Sequence, residues 1–226
     1  RVSAAQTARA VRRGAGLFAP AGRALLEVAG SDRVRWLQGQ ISNDVAALGP
    51  GEGCYATVLT VKGRIVADLH VLAREDGFWL ETGEAVRDAV WQRLDRYIVA
   101  DDVTLADASA RFARLALEGP ASAAPLSALG AFAPPTAEGA VEAVLAGQPV
   151  VVWAFGHTNL PAFQLLVAPD GAGALGDALR EAGPAHGLVE AGDEVLEILR
   201  VESGVPALGR ELDEEAGVTV RWLEQL

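Results

Sequence analysis

Apolar and polar positions alternate along the first half of the chain in a way that sets out a fold. Residues 3–16 are rich in Ala and Arg and predict a short helix, ended by Gly14 and Gly16. Ala24 to Ala29 predicts an apolar strand. Ser31 or Asp32 caps a helix running to about Gln40, with Val34, Leu37 and Ile41 as its apolar face. Leu48-Gly49-Pro50-Gly51 is a turn. Cys54–Thr60 and Ile65–Leu72 predict two strands, joined as a hairpin at Lys62-Gly63-Arg64. Gly77 opens another strand, Phe78–Thr82. A helix follows from about Glu84 to Tyr97, with Val86, Val90, Leu94 and Ile98 on one face, and Val103–Asp107 closes the unit as a strand. The order strand, helix, strand, strand, strand, helix, strand describes a split β-α-β unit with an extra hairpin strand. It calls for an antiparallel or mixed sheet.

The pattern then returns. Leu115 to Pro120, followed by Leu126–Leu129, echoes Leu26–Gly30 and its helix. Val150–Phe155 echoes Cys54–Thr60, and Phe163–Val167 with a helix over about Ala174–Ala182 echoes Phe78–Thr82 and its helix. The offset is close to 85–90 residues. Two copies of one fold bury their faces against each other, and a cleft between copies is a natural ligand site. Residues 119–139, rich in Pro, Ala and Gly, read as a surface loop. A last helix is predicted from about Asp193 to Ser203.

Composition narrows the classes. The 226 residues are 50% hydrophobic and 22% charged, ample for a core and unlike a disordered chain. No apolar run approaches the roughly 18 residues of a membrane helix. The net charge of -11 argues against sequence-independent nucleic-acid binding, which needs clustered cations. Charge is uneven: residues 1–35 carry seven Arg and two acids, and residues 190–226 carry ten acids and three Arg. The acidic end reads as solvated surface. One cysteine, Cys54, permits no internal disulfide and fits a reducing, cytoplasmic compartment. The chain begins at Arg1 and contains no Met, so it reads as a domain cut from something longer.

Few side chains suggest chemistry. Gly171-Ala172-Gly173-Ala174-Leu175-Gly176 matches the dinucleotide pattern, with Glu190 near the ribose-acid spacing. Its counterpart in the repeat, Glu81-Thr82-Gly83-Glu84, is an ordinary strand-to-helix turn, and that reading is preferred. His70, His157 and His186 are too scattered for a metal site. Cys54 reads as a small core thiol. Asp68 stands out: alternation puts Val66, Asp68 and His70 on one face of the strand, and Ile65, Ala67, Leu69 and Val71 on the other. A carboxylate on an apolar strand needs a ligand, or a partner such as Arg64. Arg200 and Glu202 sit near a helix end, where a surface ion pair is the simpler account, and Asn43-Asp44 could be a cap and turn.

Taken together, several segments resemble the folate-binding superfamily of the glycine-cleavage T-protein, most closely its YgfZ branch. They are Arg13-Gly14-Ala15-Gly16-Leu17, Val28-Ala29-Gly30-Ser31-Asp32, Leu37 to Val45, Lys62 to Asp68, Leu94 to Val103, Leu117-Glu118-Gly119-Pro120, and Leu199 to Pro206 with Gly209 and Glu211. The resemblance covers nearly the whole chain, and the order and spacing of the segments carry it.

The resemblance implies an α+β fold of two pseudo-repeated, ferredoxin-like split β-α-β units around a central cavity that binds tetrahydrofolate or a derivative. It implies a folate-binding domain of residues 1–49 with 112–210, interrupted by an α+β domain at 50–111. A tail at 211–226 stands where the family's C-terminal β-barrel would begin, and that barrel is missing. Asn43, Asp68, Gln164 and Arg200 would shape the pterin pocket, with Glu202 beside them and Lys62 and Arg64 at its mouth for the glutamate carboxylates. There are departures. T-protein-like enzymes carry two adjacent acids where this chain has Ala67-Asp68, and a Gly-Phe-Glu where it has Ala162-Phe163-Gln164. The Lys-Gly-Cys-Tyr segment of YgfZ-like proteins is absent, and Gly53-Cys54-Tyr55 mimics it in the wrong place. The branch implies folate binding without classical catalysis, with iron–sulfur proteins as partners, in cluster assembly or repair and tRNA modification. The alternatives are a folate-dependent aminomethyl or methyl transferase and a small subunit of a sarcosine oxidase-like complex.

Overall fold

The computed structural model describes residues 3–208 and Arg210. Gly209, Glu211 and the 211–226 tail lie outside the described residues. In chain order come helix α1 (Ala4–Arg13), strands β1 (Ala15–Phe18) and β2 (Arg23–Ala29), helix α2 (Arg33–Gln38), and strands β3 (Gly53–Leu59), β4 (Ile65–Ala73) and β5 (Gly77–Gly83). Helix α3 (Arg87–Asp95), strands β6 (Thr104–Asp107) and β7 (Ala113–Glu118), helix α4 (Ala123–Leu129) and strands β8 (Ala140–Leu145), β9 (Gln148–Trp153) and β10 (Ala162–Val167) follow. Helix α5 (Ala172–Ala182), strand β11 (Leu188–Glu190) and helix α6 (Asp193–Glu202) complete the described part. Two compact units result, one from residues up to 21 with 110–205, the other from 22–109 with the chain returning at Pro206.

The 22–109 unit adopts the predicted order of seven elements. Its sheet runs β3-β4-β5-β2-β6, antiparallel at every pairing. Alternation puts Ala67, Leu69 and Val71 of β4 with Ala56 and Val58 of β3, Leu26 and Val28 of β2, and Phe78 and Leu80 of β5. They pack under Trp36 and Leu37 of α2 and Val90 and Leu94 of α3, each large side chain adding about 1.5–3 kcal/mol of burial. Val34, expected on the apolar face of α2, is 38% exposed. The helix has six residues, too few for a stripe through Val34 and Ile41, and Trp36 takes the inward place. Ile41 lies beyond it, bridged to Val58. Asp32 is the N-cap residue but makes no side-chain cap; its carboxylate accepts from the Asp102 amide at 2.8 Å instead.

The other unit carries a mixed sheet, β11-β1-β7-β10-β9-β8, in which only β1 and β11 run parallel. Its order β7-α4-β8-β9-β10-α5-β11 repeats that of β2 to β6, and the neighbours β8-β9-β10-β7 repeat β3-β4-β5-β2. The repeat is therefore real, with one correction: β9 is the counterpart of β4, and β8, which the sequence does not predict, is the counterpart of the Cys54 strand. β1 lies beside β7 where β6 lies beside β2, and β11 is displaced outward. The first helix also ends earlier than expected. A capping box starts it, with the Gln6 amide donating to Ser3 Oγ at 3.3 Å and the Ser3 amide donating to Gln6 Oε1 at 2.9 Å. Gly14 stops it, and Gly16 belongs to β1. The core packs Leu115, Leu117, Val150, Val152, Phe163 and Leu165 against Leu126, Leu175 and Leu179 of the helices. On the other side of the sheet, α1 and α6 meet Phe18 and Ala116 through Val11, Val195 and Leu199.

Among the described residues no helix is long and apolar enough to cross a membrane. The α+β class expected from the sequence is the one the chain adopts.

Candidate functional site

The pleat that buries Ala67, Leu69 and Val71 turns Asp68 and His70 to the opposite face of the 22–109 sheet. Register brings the neighbours into line: Thr57 opposes Asp68, Tyr55 opposes His70, His70 opposes Glu81, and Arg23 opposes Gly83. This face is polar yet largely buried. Glu81 is 0% exposed, Thr57 3% and His70 7%.

A bidentate ion pair anchors it. Arg23 Nε and Nη2 each donate to one Glu81 oxygen at 2.6 Å, the fork geometry that makes Arg–carboxylate pairs strong. Burial pulls the Arg23 guanidinium down. Glu81, with Asp68 and Tyr55 adding to it, more than offsets this, so Arg23 is held above the ordinary arginine value. The Tyr55 hydroxyl donates to Asp68 Oδ2 at 3.3 Å, and the Tyr55 ring meets His70 edge-on at 5.3 Å. Thr82 Oγ1 donates to the Asp68 backbone carbonyl at 2.8 Å. Half-buried Asp68 therefore keeps one oxygen, Oδ1, with no hydrogen bond among the described residues, in a setting that holds Tyr55 in place.

Asn43 joins this cluster from below. Its amide donates to the Tyr55 carbonyl at 2.8 Å, and its oxygen accepts the Asp44 amide at 2.8 Å. The side chain is exposed and shapes the turn before β3. Lys62 and Arg64 are exposed on the β3–β4 hairpin, where the Arg64 amide donates to Thr60 Oγ1 at 3.1 Å.

The remaining sequence candidates lie in the other unit. Gln164, 1% exposed on β10, donates from Nε2 to the Phe155 carbonyl at 3.2 Å. Arg200 is not the surface pair that its position suggested. It is 7% exposed, pairs with Glu197 one turn earlier at 2.7 Å, and donates from Nη1 to the Val205 carbonyl. Glu202 pairs with Arg12 at 3.0 Å on the exposed side of α6. Near β10, buried Glu118 accepts the His157 amide at 3.0 Å and the Thr158 hydroxyl at 2.7 Å.

Sequence reading missed Arg23 and Glu81. The signal for Glu81 was the one that singled out Asp68, an acid on an apolar strand, but Glu81 read as part of a turn. Position 67 is fully buried on the core side, so an acid missing there takes nothing from the face that Asp68 occupies. The Gly171–Gly176 run opens α5, but β10 lies between two antiparallel neighbours. Glu190 pairs with Arg180 at the surface, and a Cβ at Gly171 would press on the Gln148 side chain. Gly171 is the N-cap of α5, and Gly173 and Gly176 lie within the helix. Cys54 packs against the helix-side core. Among the described residues no group of three His, Cys, Asp or Glu could hold a metal.

A family model described as the GCVT N-terminal domain matches residues 2–220. Among curated relatives, an aminomethyltransferase of Rubrobacter xylanophilus is 33% identical over 214 residues, covering 91% of this chain and 55% of that one. That of Bacillus subtilis is 30% identical over 214 residues, covering 90% and 57%. The chain thus spans little more than half the length of these relatives. The crystal structure of the glycine cleavage system aminomethyltransferase T from Bartonella henselae superposes with a TM-score of 0.84 at 21% identity, over 96% of this chain and 58% of that one. A chain of the heterotetrameric sarcosine oxidase from Corynebacterium sp. U-96 superposes with a TM-score of 0.58 at 22% identity, over 84% of this chain and 98% of that one. At such identities the two structures speak to fold alone.

Proposed function

Because this chain belongs to the GCVT N-terminal domain family, we propose that it binds tetrahydrofolate or a derivative through the polar face built on Asp68, as a folate-binding protein of the YgfZ type. The observation that carries the reading is the Asp68 carboxylate itself, half-buried, ordered by the Tyr55 hydroxyl and retaining an acceptor oxygen. The donor set suits the ligand. A reduced pterin presents N–H donors along one edge, which a carboxylate accepts, and the half-buried Tyr55 ring, backed edge-on by His70, offers it apolar surface. Bound tetrahydrofolate would supply the amine nitrogens that carry one-carbon units. Asp68 would hold and orient that group, and burial of the face would keep water from competing for it. Asn43 acts on the site through Tyr55. Lys62 and Arg64 are proposed partners of the folate glutamate, and Gln164 and Arg200 form a buried polar set of the other unit, each with its own partner. Glu202 is assigned to its pair with Arg12.

Two finer readings divide on catalysis. Gln164, an amide where a transferase would carry a carboxylate, supports the YgfZ type, with iron–sulfur proteins as partners and a cytoplasmic location that suits the single cysteine. The names of the curated relatives, and an Asp68 that Ala67 does not compromise, support folate-dependent aminomethyl transfer. Calorimetry with tetrahydrofolate and its 5-formyl form tests the shared claim. Asp68→Asn is expected to weaken binding by about ten- to a hundredfold, the worth of a hydrogen bond to a charged group. Wild-type affinity in that variant would overturn the site. Release of a folate-bound one-carbon unit from an aminomethyl donor would then decide for the transferase.

A further inference from the structure

A half-buried guanidinium with two carboxylates in reach can pair with either, and here the choice is made by Glu81. Arg23 gives Glu81 two hydrogen bonds at 2.6 Å. Asp68 lies on the same face, close enough for its charge to act on Arg23. The space between them is left open by Gly83. That glycine opposes Arg23 in the register, and a Cβ on it would sit 3.9 Å from Arg23 Nη1. Asp68 borders the same end of β5 through the Thr82 hydroxyl on its carbonyl. No side chain at position 83 therefore separates the guanidinium from the Asp68 carboxylate.

We propose that Glu81 is a positioning residue which holds Arg23 away from Asp68, so that the Asp68 carboxylate stays an un-neutralised anion for a ligand that donates N–H bonds or carries positive charge. The pair cancels its own charges and leaves the Asp68 carboxylate beside it without an ion pair among the described residues. Without Glu81, the fork of Arg23 turns to Asp68, satisfies the oxygen that the ligand needs, and competes with binding. Any stability gained by that new pair is subtracted from ligand affinity. The inference rests on the folate reading only for its choice of ligand.

Two measurements test it. In the first, 5-formyltetrahydrofolate is titrated into wild type, Glu81→Gln, and the double variant Glu81→Gln with Arg23→Gln. The single variant is expected to lose about tenfold or more in affinity. The double variant, with no guanidinium left to occupy Asp68, is expected to recover to within about threefold of wild type. A purely structural pair predicts the reverse, since removing the second partner would repair nothing at Asp68. Wild-type affinity in Glu81→Gln, or a double variant as weak as the single, would overturn the proposal. Glu81→Asp keeps the charge on a shorter arm and is expected to lose affinity by an intermediate amount. It replaces Glu81→Gln should that variant not fold, and wild-type binding by it counts equally against the proposal.

The second measurement needs no ligand. Asp68→Asn is made in wild type and in the Glu81→Gln background, and urea unfolding is followed. The substitution is expected to lower the folding constant about tenfold more in the second background, where it breaks an Arg23–Asp68 pair. Equal costs in both backgrounds would refute the rearrangement. If wild type fails to bind folate, the folate reading falls, and this cycle alone decides the role of Glu81.

Discussion

Gly30 and Gly119 are the places where the two-copy architecture can be tested most directly. Gly30 follows β2 and Gly119 follows β7, at φ of +109° and +135°. A Cβ on Gly30 would enter the Asp102 carbonyl, 2.8 Å from its carbon and 2.9 Å from Val103 Cα. On Gly119 it would lie 2.5 Å from the Gly14 oxygen and 2.8 Å from Ala15 Cα. In each copy the obstacle is the backbone leading into the strand beside the first, β6 in one and β1 in the other, so no rotamer change relieves it. A side-chain-bearing residue at such φ costs about 1–3 kcal/mol. Displacing packed backbone adds about 1–3 kcal/mol. Gly30→Ala and Gly119→Ala are therefore each expected to destabilise by about 4 kcal/mol, a large share of the stability of a domain. Gly22 is the control: its φ is +72°, but a Cβ there meets nothing within 4 Å, and the expected cost is about 1–2 kcal/mol. Urea unfolding followed by tryptophan fluorescence reads the result, with Trp36, Trp79 and Trp91 reporting on one unit and Trp153 on the other. If either variant unfolds within about 0.5 kcal/mol of Gly22→Ala, the clash is not what requires glycine. The two corners would then not be equivalent.

Two further outcomes are expected. The Ser31 hydroxyl and amide hold Asp102 below the usual carboxylate range, as the Asp102 amide and Arg35 hold Asp32, and as the Ser109 hydroxyl and amide hold Asp107. Each depressed group adds stability that is present above the unfolded value of about 3.9 and lost as pH falls through the folded one. Melting temperatures should hold between pH 5 and 7 and fall below about pH 4, and Asp102→Asn should flatten that fall; an unchanged slope would rule the network out as its cause. Gln164→Glu would set a carboxylate against the Phe155 carbonyl that now accepts from Gln164. It is expected to cost about 2–4 kcal/mol at neutral pH by urea unfolding, and a variant as stable as wild type would show that the buried amide is not what the position requires.

The second unit was readable because its strands are long enough to show a period. Seven to nine residues of β3, β4 and β5 carry the alternation that separates Ala67, Leu69 and Val71 from Asp68 and His70. β1 and β11, of four and three residues, show no period. β8 turns Val141, Ala143 and Leu145 toward the core, but its other face mixes Ala140 and Val144 with Glu142, which blurs the alternation. The site divides along the same line. Asp68 was legible as a charge on an apolar strand, a purely local signal. The Arg23–Glu81 pair spans 58 positions, and nothing in sequence spacing joins a residue at the mouth of β2 to one near the end of β5. The register joins them, and register follows from which hydrophobic faces meet. A charge at an inward-facing strand position demands a counter-charge at another such position. Sequence alone leaves that demand open; the register meets it by setting Arg23 against Glu81, with Asp68 and His70 on the same face. It leaves one carboxylate without a cation of its own, and that remainder is the strongest reason to look for a ligand at Asp68.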